Sequence, residues 1–218
     1  EVDRYVRRLS SLGKLLAMRM GLSSCTMVSV MDGNLVISAN VKSAGNTEKV
    51  AMILHDKMKI IRETLNEMVA IRASWSGSAA DLKEAEDCYL TDVLLRLGTE
   101  DLGGLLQDGI ANNNGLLSKQ AFRKLACTVS MAGEEEDSFS QEDIAILLDP
   151  KKTIYLLPED IENEIHMAII RPDAFGSLVC QERIEFPYEY GTLQAIDKFH
   201  AEQLTALYSD RSASDNYN

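Results

Sequence analysis

The sequence predicts an α+β fold, predominantly helical, with a small sheet seeded by an antiparallel hairpin. Three observations predict it. Apolar residues recur every three or four positions over long stretches, above all from Asn46 to Ser74. An Asp32-Gly33 pair separates two runs rich in β-branched residues, and a compact apolar run, Thr153 to Leu157, stands directly before Pro158. The first pattern is the period of an amphipathic helix, and the other two are signals of strands bounded by turn residues.

Taken in order, Val2 to Met20 carries Val6, Leu9, Leu12, Leu15 and Leu16 at helical spacing, with Gly21 as a stop. Cys25 to Met31 and Asn34 to Ser38 are then read as two antiparallel strands, because Asp-Gly populates the left-handed backbone that a two-residue hairpin turn requires. From Asn46 to Ser74, the residues Val50, Leu54, Met58, Ile61, Leu65 and Met68 lay one apolar stripe along a long helix, either core or a partner-binding face. Lys57, Lys59, Glu63 and Glu67 are expected to solvate its other faces. A turn at Trp75-Ser76-Gly77-Ser78 leads to a helix from Ala79 to Leu97, with Leu82, Leu90, Val93 and Leu94 on its buried side.

Asn112-Asn113-Asn114-Gly115 is read as a loop and Lys119 to Met131 as a helix; the acidic Gly133 to Asp137 stretch is the best internal linker, and Ser140-Gln141-Glu142-Asp143 can cap a short helix. The loop lacks the carboxylates of a calcium-binding EF-hand, since Ile110 and Ala121 stand where acidic ligands belong. Thr153 to Leu157 is expected as a strand and Ile161 to Ile170 as a helix. Ser177 to Cys180 and Ile184 to Phe186 are read as short strands. Leu193, Ile196, Phe199, Leu204 and Leu207 outline a last helix ending near Tyr208. The expected organisation is one domain over 1–208, with a helical insertion over about 42–150 and a polar tail over 209–218.

Acidic residues outnumber basic ones by 34 to 22, for a formal charge of -12. No global positive field exists to gather phosphates, which argues against duplex nucleic acid as a partner. The cluster Arg4, Arg7, Arg8 and Lys14 is read as a solvated helix face. The four cysteines, Cys25, Cys88, Cys127 and Cys180, form no Cys-x-x-Cys pair and are expected to be reduced and mostly buried. No apolar run has the length of a membrane span and no signal-peptide core opens the chain, so a cytoplasmic location is expected.

One short motif carries chemistry. A zinc deaminase needs a metal-bound water acidic enough to attack an amidine carbon and a nearby carboxylate that moves protons without binding the metal. His200-Ala201-Glu202 has the His-x-Glu form of that pair. With the preceding hairpin and helical insertion, it resembles the cytidine deaminase-like superfamily, especially its bacterial effector and toxin branch. The resemblance covers the hairpin and the last helix. It implies that Thr26 to Val30 and Leu35 to Ser38 are the first two strands of the sheet, that His200 is a zinc ligand, that Glu202 is the catalytic proton shuttle, and that Asn40 contacts substrate. The substrate implied is a nucleoside, a nucleotide or a nucleic-acid base, a protein side chain being equally compatible with the acidic charge.

The family's Pro-Cys-x-x-Cys half does not follow Glu202, no cysteine lying beyond Cys180, so the expected zinc site is incomplete in this chain. Residues two apart on a regular helix point roughly 200° away from each other. His200 and Glu202 converge on one metal only if the helix starts near Asp197, whereas the apolar stepping starts at Leu193. On spacing alone, His200 belongs to the stripe between Ile196 and Leu204, and Glu202 to a solvated face. The alternative function is a catalytically silent module that binds another protein through its helical surface, with Met18, Met20, Met52, Met58 and Met68 as adaptable contacts.

Overall fold

The computed structural model describes residues 2–17, 25–40, 47–97, 110–131, 139–161 and 164–185. Among them are five α-helices and a five-stranded sheet: α1 (Val2–Ala17), β1 (Cys25–Met31), β2 (Asn34–Asn40), α2 (Thr47–Ser74), α3 (Ala79–Leu97), α4 (Ile110–Ser130), α5 (Gln141–Leu148), β3 (Thr153–Ile161), β4 (Glu164–Pro172) and β5 (Leu178–Glu185). A single 3-10 turn, Pro150–Lys152, joins α5 to β3. The strands lie in sequence order, β1 to β5. Every neighbouring pair is antiparallel except β2 and β3, which run parallel. A parallel step needs a long return connection, and α2 to α5 supply it.

The hairpin forms where the Asp-Gly pair predicts it. Asp32 has φ 47 and Gly33 φ 67, so both central residues are left-handed, as in a type I′ turn whose twist matches the flanking strands. Helix α1 then packs on β1 through Leu9, Leu12, Leu15 and Leu16. Gly13 permits the close approach, because a Cβ built there would meet the Thr26 carbonyl oxygen at 3.1 Å.

The α2 stripe is core. Leu54, Met58, Ile61, Leu65 and Met68 are all buried, and they meet Leu35, Ile37, Tyr155, Leu157, Ala168 and Ile170 from the sheet. Two helices begin with the same device. At α3, Ser78 Oγ accepts from the Asp81 amide at 3.2 Å while the Ser78 amide donates to the Asp81 carboxylate at 3.3 Å. At α5, Ser140 and Asp143 make the same reciprocal pair, at 3.1 and 3.0 Å. Each capping box satisfies amides that the helix itself leaves unpaired.

Several expectations change. The segment expected as a helix, Ile161 to Ile170, is strand where it is described: Ile161 ends β3 and Glu164 to Ile170 lie in β4. Its apolar density misleads because β4 is buried on both faces: Ala168 and Ile170 face the helices, while Met167 packs on the opposite side with Val36 and Leu156. A strand covered on both sides loses its alternation and reads like a helix. The two short strands expected near the end are one strand, β5, with a register shift against β4 between Ile169 and Ile170, while Phe186 lies outside the described residues.

The Asn112 to Gly115 loop is also corrected, since it lies inside α4. Gly costs about 1 kcal/mol in a helix relative to Ala, and Asn several tenths. Burial of Ala121, Phe122, Leu125 and Ala126 farther along α4 stabilises the helix by more than that, at roughly 1.5–3 kcal/mol per large apolar side chain. Lys57, expected on a solvated face, is buried and donates to the Leu16 carbonyl at 3.3 Å, which caps an otherwise unpaired acceptor near the end of α1. Cys88, Cys127 and Cys180 are exposed rather than buried. The acidic 133–137 stretch, the 191–208 helix and the 209–218 tail lie outside the described residues.

Replacing Gly13 by Val should push α1 away from β1 and cost about 1–3 kcal/mol, the usual range for overpacking. Urea unfolding of the two proteins measures it; an unchanged midpoint would mean that α1 does not need this contact.

Candidate functional site

The residues expected to carry chemistry are only partly placed. Asn40 is the last residue of β2, paired with Cys25 at the start of β1. By strand register it is in phase with Val36 and Ser38. His200 and Glu202 lie outside the described residues, so Asn40 is the one member of the expected site that the structure places. Among the described residues, no group of three or more His, Cys, Asp or Glu is arranged to hold a metal ion, and no helix is long and apolar enough to cross a membrane.

The principal polar cluster that is described sits between α2 and the sheet. It grows from two residues seven apart on α2, His55 and Arg62, which a helical period places on one face beside the apolar stripe. Arg62 is buried. Its Nε donates to the Leu147 carbonyl at 3.0 Å, and a terminal nitrogen donates to Thr153 Oγ1. One guanidinium thus joins α2 to the end of α5 and the start of β3. Burial lowers the Arg62 pKa, opposed by the nearby Tyr155 and by the negative Asp149. The side chain keeps its charge, because an arginine starts so far above neutrality.

Tyr155, on β3, is fully buried beside it. Its hydroxyl stands 3.4 Å from His55 Nδ1, and the two rings meet edge to face with centroids 6.2 Å apart. Desolvation pushes the phenol's pKa up, and the positive Arg62 only partly offsets it. Desolvation also lowers the His55 pKa from its usual 6.5; Asp56 opposes the shift, while Arg62 and Lys59 reinforce it. The cluster therefore holds a neutral imidazole, a neutral phenol and one cation.

A second cluster joins three helices. Glu86 of α3, 4% exposed, accepts from Arg72 of α2 at 2.6 Å and from Arg123 of α4 at 3.2 Å. Arg123 also pairs with Asp87, which Lys119 approaches to 3.8 Å. The hydrogen bond from Arg123 lowers the Asp87 pKa. Its contribution is thus present above the ordinary carboxylate range and lost as pH falls through the lowered value. This network is a clamp, with each charge compensated by a neighbour.

Among the described residues, a few buried polar side-chain atoms lack partners: Thr26 Oγ1 on the helix-packed face, and others on the opposite face of the sheet. Ser38 is 3% exposed and its hydroxyl, like that of Ser29, makes no hydrogen bond. Both share the face of Val36 by register. The α2 stripe that could have formed a partner surface is spent on the core. Among the described residues, the exposed large apolar ones are Met27, Met52, Trp75, Val179 and Phe175, the last 92% exposed on the β4–β5 turn.

Sequence reasoning missed Arg62 and Tyr155. The seven-residue spacing of His55 and Arg62, flanking a continuous stripe, was a usable signal; nothing local marks Tyr155 as their partner. Comparison with protein-family models, with curated proteins and with solved structures finds no match to this chain.

Truncating Arg62 to Ala should destabilise the fold by about 3 kcal/mol, because it empties a buried position and leaves the Leu147 carbonyl and Thr153 hydroxyl unpaired. Glu86→Ala should cost about 2–4 kcal/mol, since two guanidinium groups lose the charge between them. Chemical denaturation reads both, and a loss under 1 kcal/mol in either would show that the cluster does not hold the helices.

Proposed function

We propose that this chain is a deaminase-like domain of the kind found in bacterial effectors and toxins, acting on a nucleoside, a nucleotide or a nucleic-acid base. His200 is the candidate zinc ligand, Glu202 the candidate proton shuttle and Asn40 the candidate substrate contact. The observation that carries the reading is an order of elements: the β1–β2 hairpin ending at Asn40, then four helices among the described residues before β3, then a His-x-Glu pair in the sequence beyond β5. A small mixed sheet with helices packed on it is compatible with that order.

The donor set does not by itself fit a catalytic zinc, which takes three protein ligands. His200 supplies one nitrogen, no cysteine follows it, and Cys88, Cys127 and Cys180 are exposed on three different elements. The alternative, a catalytically silent interaction module, cannot use the buried α2 stripe. Among the described residues, Phe175 is the side chain best presented for such a role, on a turn whose Phe175 and Ser177 amides both donate to the Asp173 carboxylate, at 2.8 and 2.9 Å.

Elemental mass spectrometry of the purified protein and of its His200→Ala variant tests the reading. One zinc per chain, lost in the variant, is the expected result, with the missing ligands supplied by groups not yet identified. Zinc absent from both proteins would remove the metal-dependent reading and leave the interaction module.

A further inference from the structure

The half-buried His55 and the buried Tyr155 have no part in the proposed chemistry, yet they meet where α2 packs on a central strand. The hydroxyl of Tyr155 is within 3.4 Å of His55 Nδ1, and no water reaches the phenol ring. When His55 is neutral with its proton on Nε2, Nδ1 accepts the phenolic hydrogen and both groups are satisfied. When His55 is protonated, Nδ1 becomes a donor and the phenolic hydrogen loses its acceptor inside the protein. The new cation also faces the Arg62 guanidinium, already fixed by Leu147 and Thr153.

We propose that His55 and Tyr155 form an acid-labile latch between α2 and β3, closed while the imidazole is neutral and released when it gains a proton. The groups acting on the latch come from three places. Asp56, Lys59 and Arg62 lie on α2 itself; Tyr155 comes from β3; Asp149, after α5, balances Arg62. Asp56 favours the imidazolium, but burial outweighs it, and Lys59 and Arg62 oppose it as well. The sign follows: the folded protein prefers the neutral ring more than the unfolded chain does. The latch's contribution to stability is therefore fully present above pH 6.5, the ring's usual value, and is lost as pH falls from there through the lower folded value. Each unit of difference lowers the folding constant about tenfold. The latch is independent of zinc and stands whichever way the metal analysis falls.

Imidazole NMR titration of the full chain, with hydrogen exchange of the α2 and β3 amides at pH 7.5 and 5.0 corrected for intrinsic rate, tests it. The expected result is a His55 titration below 6.5 and an opening of the α2–β3 contact that grows severalfold at pH 5.0. His55→Gln, which cannot be protonated, should flatten that pH dependence. If His55→Gln does not fold, Tyr155→Phe serves instead, and its His55 titration should move upward because the hydroxyl that favours the neutral ring is gone. A His55 titration at or above 6.5, or a pH dependence unchanged in the variant, would overturn the latch.

Discussion

A guanidinium buried between a helix and a sheet must find acceptors at once, because an unpaired charge there costs several kcal/mol. Arg62 finds them in the Leu147 carbonyl and the Thr153 hydroxyl. Both acceptors belong to the passage from α5 through a 3-10 turn into β3. That passage delivers the chain back to the sheet after the long helical connection and starts the strand that runs parallel to β2. Without an anchored start, β3 could slip by one residue, and every side chain along it would exchange faces. Tyr155, two residues on, would then leave the core.

The helices depend on that anchoring in turn. Helix α2 buries five large apolar side chains against the sheet, and α4 packs on both α1 and α2. Glu86 closes the arrangement from outside by drawing Arg72 and Arg123 together, so that α2, α3 and α4 share one carboxylate. Apolar contact supplies most of the stabilisation, and it is non-directional. The polar contacts, which are directional, decide which face meets which.

The functional reading is separated from this scaffold. The scaffold describes one end of the expected site, the close of β2 at Asn40, while the His200 and Glu202 pair belongs to sequence beyond β5. The paired faces of the sheet also differ in character. The helix side is packed, its large polar groups are bonded and the Thr26 hydroxyl is unpaired there, whereas the other side keeps two unpaired hydroxyls, Ser29 and Ser38, among Val36, Leu156 and Met167. A buried hydroxyl without a partner costs about 1–3 kcal/mol, so this face is less well satisfied than the helix-side core.

What the sequence by itself determined is whatever rests on contacts between near neighbours. The Asp32-Gly33 turn, the α2 stripe, the start and end of α3, and the Ser140 cap were all legible, because each follows from local dihedral preference or helical period. The His200 and Glu202 motif was legible in the same sense, as three letters whose placement nothing local fixes. The tertiary structure decided the rest. It made β4 a strand because burial on both faces overrides the helix-like density of its apolar residues, and it carried α4 through Asn112 to Gly115 because packing farther along outweighs local propensity. It brought Lys57 to the end of α1, 41 residues away in sequence, and Tyr155 to His55 across 100 residues. The second pairing depends on the parallel return from α5 to β3, and no pattern confined to a short window encodes that return or the docking of α2 on α1.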